Sequence, residues 1–331
     1  MMRSSSTRVF MIGLATVAAF ASTTVRDAVG AIAVRTYVGG RVSLELEGVN
    51  IGSVDKASGG QAVGSVAFDK QAGAFSKKHI AGIKYEDIQF DLGAGASKEF
   101  FTWLSASMNG TRPAKSGALL ESDVDGTLRN KLAFSNATIA DVTFPALDAT
   151  SGKNAAFLTV TLSPEKTTRS AAGGKADSKI GAKTKAWIQS NFRVTIPGLE
   201  DATRSISKVD ALSVRFKTVS NAVGVTREYQ RTPVSADISN LIITVPESRA
   251  ASLYKWQEEF LGQGKSGDAN EKTATIELLD ASLKGVLFTV SLKGVGVVSV
   301  ASAPVEAGQE SVRNVQAELY VESAAFEPGA L

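Results

Sequence analysis

Apolar residues recur at every second position through much of this chain. In RVSLELEG (41–48) Val42, Leu44 and Leu46 alternate with polar side chains, and DIQFDL (87–92) repeats the pattern with Ile88, Phe90 and Leu92. AFLTVTLSPE (156–165) does so again with Leu158, Val160 and Leu162. A period of two is that of a strand with one face on a core. GALLESDVDGTLRNKLAF (117–134) reads as a hairpin with Asp125-Gly126 at its tip, a pair that tolerates the positive φ of a tight turn. ATIADVTFPAL (137–147) supplies a further strand. The period changes only in KEFFTWLSASMNG (98–110), where Phe100, Trp103 or Leu104, and Met108 fall on one helical face. Ser97 is placed to cap that helix, Glu99 suits the positive end of its dipole, and Asn109-Gly110 stops it. These elements predict a largely antiparallel unit with one helix.

The second half repeats the first. NFRVTIPGLE (191–200) matches GRVSLELEGV (40–49), and SNLIITV (239–245) matches EDIQFDL (86–92). ASLYKWQEEFLGQG (251–264) lies over the first helix at one constant offset, Leu253 on Phe100, Tyr254 on Phe101 and Trp256 on Trp103. The stretch 273–304 then follows 117–147, with Pro304 against Pro145, and NVQAELYVES (314–323) takes the place of FLTVTLSPEK (157–166). A period this long is a tandem domain duplication rather than a short-repeat solenoid. The expected organisation is a mainly β (α+β) chain with a first domain over 35–166, a basic flexible linker over 167–186, and a divergent second domain over 187–328.

Charge and composition narrow the function. The formal net charge is +3, but residues 166–185 hold six Lys or Arg against one Asp, so the remainder carries a formal −2. No basic stripe interleaved with aromatics is present, and no specific nucleic-acid partner is expected. The absence of cysteine excludes disulfides and thiolate chemistry, and the single histidine, His79, excludes sites that need two imidazoles.

The N-terminus reads as an address. A short positive stretch precedes the 13-residue apolar run VFMIGLATVAAFA (9–21), which ends in the small-x-small pattern Ala19-Phe20-Ala21. This predicts a signal peptide over 1–21, an arm over 22–34, and export to the periplasm or beyond. A docking arm or an organelle transit peptide is the alternative, since no acidic residue precedes Asp27. The run is shorter than the roughly 20 apolar residues that span a bilayer.

Candidate chemistry gives way to simpler readings. His79 in KKHIAG (77–82) has no Ser or Asp arrangement beside it and reads as a surface or interface residue. GQGKSG (262–267) resembles part of a phosphate loop, but Glu259 stands where the first glycine belongs. GVGVVS (294–299) lacks the spacing of a dinucleotide fingerprint and reads as a glycine-containing strand. DVDGT (123–127) lacks the later Glu of a calcium loop and reads as the hairpin turn. No enzyme, cofactor or metal is expected.

RTYVGGRVSLELEGV (35–49), KKHIAGIKYEDIQFDLGAGASKEFFTWL (77–104) and FSNATIADVTFPALDA (134–149) together resemble the tail-tube proteins of contractile phages, relatives of the type VI secretion tube protein. The resemblance implies two β-barrel or sandwich domains, each with one flanking helix, and six-fold rings that stack into a hollow tube. On it, residues 50–86 would be the inter-ring loop and the strand after it, with Lys77, Lys78, His79, Lys84 and Tyr85 as assembly contacts. The chain's main partner would be itself, as three chains in a pseudo-six-fold ring or as six, with other tail-like components beside it. A cytoplasmic or virion-associated location is the alternative to export on the same ground. The second repeat lacks the Lys84-Tyr85-Glu86-Asp87 string. The rival class is an exported monomeric binding module whose edges are blocked, a role that Pro197 and Pro246 would suit.

Overall fold

A computed structural model describes residues 39–69, 75–176, 186–223, 228–302 and 312–329. The expected signal peptide and arm lie outside these residues. The first repeat begins with β1 (Gly39–Leu46), β2 (Val49–Gly59), β3 (Ala62–Asp69), β4 (Lys77–Tyr85) and β5 (Ile88–Leu92). Helix α1 (Lys98–Met108) follows, then β6 (Lys115–Asp123), β7 (Leu128–Phe144), β8 (Leu147–Asp148), β9 (Leu158–Ser163) and β10 (Lys166–Ala171). The second repeat runs β11 (Phe192–Thr195), α2 (Glu200–Thr203), β12 (Lys208–Val209), β13 (Leu212–Val223), β14 (Glu228–Ile238) and β15 (Leu241–Pro246). It continues with α3 (Ala251–Gln257), β16 (Lys272–Leu279), β17 (Val286–Ser302) and β18 (Asn314–Pro328).

The mainly β expectation holds, with two barrel-like sheets. The first closes on itself: β6-β1-β2-β5-β9 run side by side, and β7 pairs with both β6 and β9. The second keeps that order, β11-β16-β17-β18-β15-β12, but α2 interrupts it between β11 and β12. In place of closure, β12 takes β8 from the first repeat as its neighbour, with Val209 opposite Leu147.

The repetition extends to irregularities. Both β7 and β17 have 17 residues. Asn136 and Gly294 hold the same position in them, and both have positive φ, 49° and 61°. The bulge between Ile139 and Asp141 against β9 recurs between Val297 and Ser299 against β18. A bulge leaves one residue unpaired and bends its strand, so a shared bulge fixes the same curvature in both barrels.

Three local expectations are corrected. The strand expected over 137–147 is the second half of β7, because Asn136 adopts the left-handed conformation that lets the chain bulge and continue. The segment expected as linker starts as a strand: Lys166–Ala171 pair with Ser135–Asn130 of β7, and β-branched Thr167 and Thr168 fit that open edge. Residues 50–86 are not one loop with a strand after it. β2 is a barrel stave, with Val54 opposite Val42 of β1, and only β3 and β4 leave the barrel. Gly52 and Gly59 dilute the alternation that would have announced β2.

Helix α1 ends as expected near Asn109, whose N–H donates to Ser105 O. Ser97 stands at the N-cap position, but its hydroxyl makes no capping bond. At the β6–β7 tip, Asp123 accepts from the Thr127 N–H at 2.8 Å and the Asp125 N–H at 3.0 Å, and it pairs with Arg129 at 2.6 Å. The Thr127 N–H, with Arg129 beside it, holds the Asp123 carboxyl below its ordinary value. The acidic side chain in DVDGT thus serves the turn.

Residues from Val38 onward form one compact unit whose buried core runs through both barrels. Phe288 is its junction: its ring lies 5.6 Å from Phe101, 6.2 Å from Phe144, 4.8 Å from Trp187 and 6.2 Å from Phe326.

Candidate assembly interface

Strands β3 and β4 form a two-stranded ribbon outside both barrels, paired from Ala62 opposite Tyr85 to Asp69 opposite Lys77. An isolated two-stranded hairpin is marginally stable in water. This one also exposes large apolar side chains: Phe68 is 62% exposed, and Val63, Val66, Ile80 and Ile83 are exposed with it. Edge strands with unpaired backbone groups are templates for another strand.

All five residues singled out from the sequence lie on β4. Lys77, Lys78, His79 and Lys84 are exposed and Tyr85, at the ribbon's base, is half-buried. The His79 Nδ1 is 3.3 Å from Asp69 across the ribbon, and the Lys78 ammonium sits 5.5 Å from the centre of the Phe68 ring. The Asp69 carboxylate thus stands beside His79 across the ribbon, a neighbour that the sequence did not place there. Among the described residues, no group of three or more His, Asp or Glu could hold a metal ion.

The second repeat owns the same ribbon, which sequence inspection missed. β13 pairs with β14, and the break in register between Lys217 and Thr218 matches that between Ser65 and Val66. At the bases, Ser239 N–H donates to Ser213 O as Glu86 N–H donates to Gln61 O, both at 2.9 Å. The helix offset of the two Trp residues, carried back to 77–85, would have located this counterpart at 230–238.

The second ribbon is joined to a barrel by strand pairing, which the first is not. Leu212–Arg215 of β13 pair antiparallel with Phe144–Asp141 of β7. Thr143 and Ser213 hydroxyls meet at 2.7 Å, and Arg215 lies 3.3 Å from Asp141. On β14, Arg231 donates to Asp87 at 2.8 Å and to the Tyr85 carbonyl at 3.1 Å, while its own N–H donates to Glu165. One repeat's ribbon therefore extends the other repeat's sheet.

Residues 189–325 match the family profile of the T4-like virus tail tube protein gp19. The match falls on the repeat expected to be the divergent one. No curated protein matches the chain. Among solved structures, the chain is similar to the tube-terminating cap of the anti-feeding prophage, at 18% identity over 45% of this chain and 95% of that one, with a TM-score of 0.37. A chain of the extended sheath–tube complex of an extracellular contractile injection system is 15% identical over 41% and 88%, with a TM-score of 0.30. Hcp1 from Flavobacterium johnsoniae is 11% identical over 42% and 95%, with a TM-score of 0.26.

Proposed function

We propose that this chain, whose residues 189–325 match the family profile of the T4-like virus tail tube protein, is a structural subunit that self-assembles into rings or hollow tubes of a tail-like particle. The observation that carries the assembly step is the β3–β4 ribbon: apolar on its surface, joined to no third strand among the described residues, and the counterpart of a ribbon that is already docked. Lys77, Lys78, His79, Lys84 and Tyr85 supply its polar contacts to the neighbouring subunit. If each repeat fills one position of a six-position ring, three chains complete it; if only one repeat does, six chains are needed. The N-terminal apolar run supports export of the subunit before assembly, with cleavage after Ala21.

Negative-stain electron microscopy with light-scattering mass on the purified protein tests this. Rings or tubes with a mass of three or six chains are the expected result. A single-chain mass at high concentration would sink the proposal and favour a monomeric binding module. Mass spectrometry of the mature N-terminus reads the export step: a chain starting at Ser22 is expected, and an intact Met1 terminus overturns it.

A further inference from the structure

The seam between β13 and β7 has two unjoined counterparts in the same chain. Matched through the common bulges, Asp141–Phe144 of β7 correspond to Ser299–Ser302 of β17. Matched through the ribbon registers, Ser213–Arg215 of β13 correspond to Gln61, just ahead of β3, and to Ala62–Val63 at its start. β17 is paired along one side with β18 throughout, but on its other side β16 stops at Val295. β3 is paired with β4 alone. Among the described residues, both counterpart edges therefore lack a strand.

Resting on the assembly reading above, we infer that β3 of one chain adds to the β17 edge of a second copy. The register is antiparallel, with Gln61 opposite Ala301, Ala62 opposite Val300 and Val63 opposite Ser299. Both repeats then occupy successive positions in one ring, joined alternately by a seam within a chain and a seam between chains. Such a head-to-tail contact uses two different surfaces, and it closes when the rotation it imposes divides a full turn.

The side chains fit this seam with a different chemistry from the internal one. Extended by one step, the internal register sets the large Phe216 by the small Ala140; between chains the sizes reverse, with Gly64 by Val298. Val298 is 41% exposed in the single chain, and the seam covers it. The Arg215–Asp141 ion pair has no counterpart, because Val63 and Ser299 take those positions. On the ribbon's other strand Lys78 stands where Arg231 does, and Glu322 stands on β18 where Glu165 stands beside β9, so the Lys78 N–H takes the place of the Arg231 N–H and faces an exposed carboxylate. The interchain seam is thus the more apolar of the two.

A cysteine-free chain makes the test direct. The facing hydroxyls of Thr143 and Ser213 show that side chains converge at this pair, so Gln61→Cys with Ala301→Cys brings two thiols together only across the proposed seam. Oxidation of the assembled double variant is expected to give covalent multimers that return to single chains on reduction. Thr143→Cys with Ser213→Cys is the control, closing a disulfide within one chain. Rings without interchain disulfides, while the control closes, overturn the seam but leave the tube reading intact. Single chains before and after oxidation overturn both. An independent measurement is charge: Val63→Arg with Ser299→Arg is expected to lower the assembled mass to that of single chains, and Val63→Arg with Ser299→Asp to restore it. Equal assembly of the two charge variants overturns the inference.

Discussion

Replacing Phe288 with alanine is expected to destabilise both repeats together, by about 3–5 kcal/mol. Phe288 belongs to β17, yet its ring packs on Phe101 of α1, Phe144 of β7 and Trp187 ahead of β11, as well as on Phe326 of its own barrel. It is fully buried, so the substitution loses transfer free energy and opens a cavity that neighbours from four elements cannot all relax to fill. β8 and β13 cross between the sheets, so neither barrel can lose its packing here without disturbing the other. Denaturant unfolding followed by tryptophan fluorescence and by far-UV circular dichroism should give one coincident transition, moved to lower denaturant. Two separated transitions, with only one of them moved by the substitution, would show that the repeats unfold independently.

The second large effect is on assembly and not on folding. Phe68→Asp combined with Ile83→Asp should reduce the scattering mass from a multi-chain particle to one chain. The melting temperature of the single chain should stay nearly unchanged. Both side chains are exposed on the ribbon, and substitutions at exposed sites outside special features usually change stability by within about 0.5 kcal/mol. In an assembled interface the same positions lose water on association, and an unpaired carboxylate buried there costs several kcal/mol. Persistence of full-mass particles with both charges present would mean that the ribbon is not where subunits meet.

Much of the fold was legible because alternation is a local signal. Val42, Leu44 and Leu46 place β1 inward, Ile88, Phe90 and Leu92 place β5, and the two Trp-bearing helices expose the duplication at one offset. The ribbons were hard to read for the opposite reason. A strand that faces water on both sides needs no period-two pattern, so β3 and β4 carry glycine, serine and lysine among their valines and isoleucines. β14 hid its kinship to β4 because Lys78 had become Arg231 and Tyr85 had become Ile238. β10 reads as linker in the sequence because its polar threonines answer to a sheet edge supplied by a distant stretch of the chain, Asn130–Ser135 of β7.

The sequence by itself determined that the chain is mainly β, that its unit occurs twice, and that it has no cysteine or imidazole pair for chemistry. Those are properties of composition and short-range period, which a chain carries before it folds. Which edges are filled was decided only by the tertiary structure. β8 occupies one barrel's gap, β13 occupies the other barrel's edge, and β3 and the end of β17 remain without strands among the described residues. Backbone hydrogen bonding is blind to side-chain identity, so no residue pattern says whether an edge will find its partner within the chain or must take it from the next one.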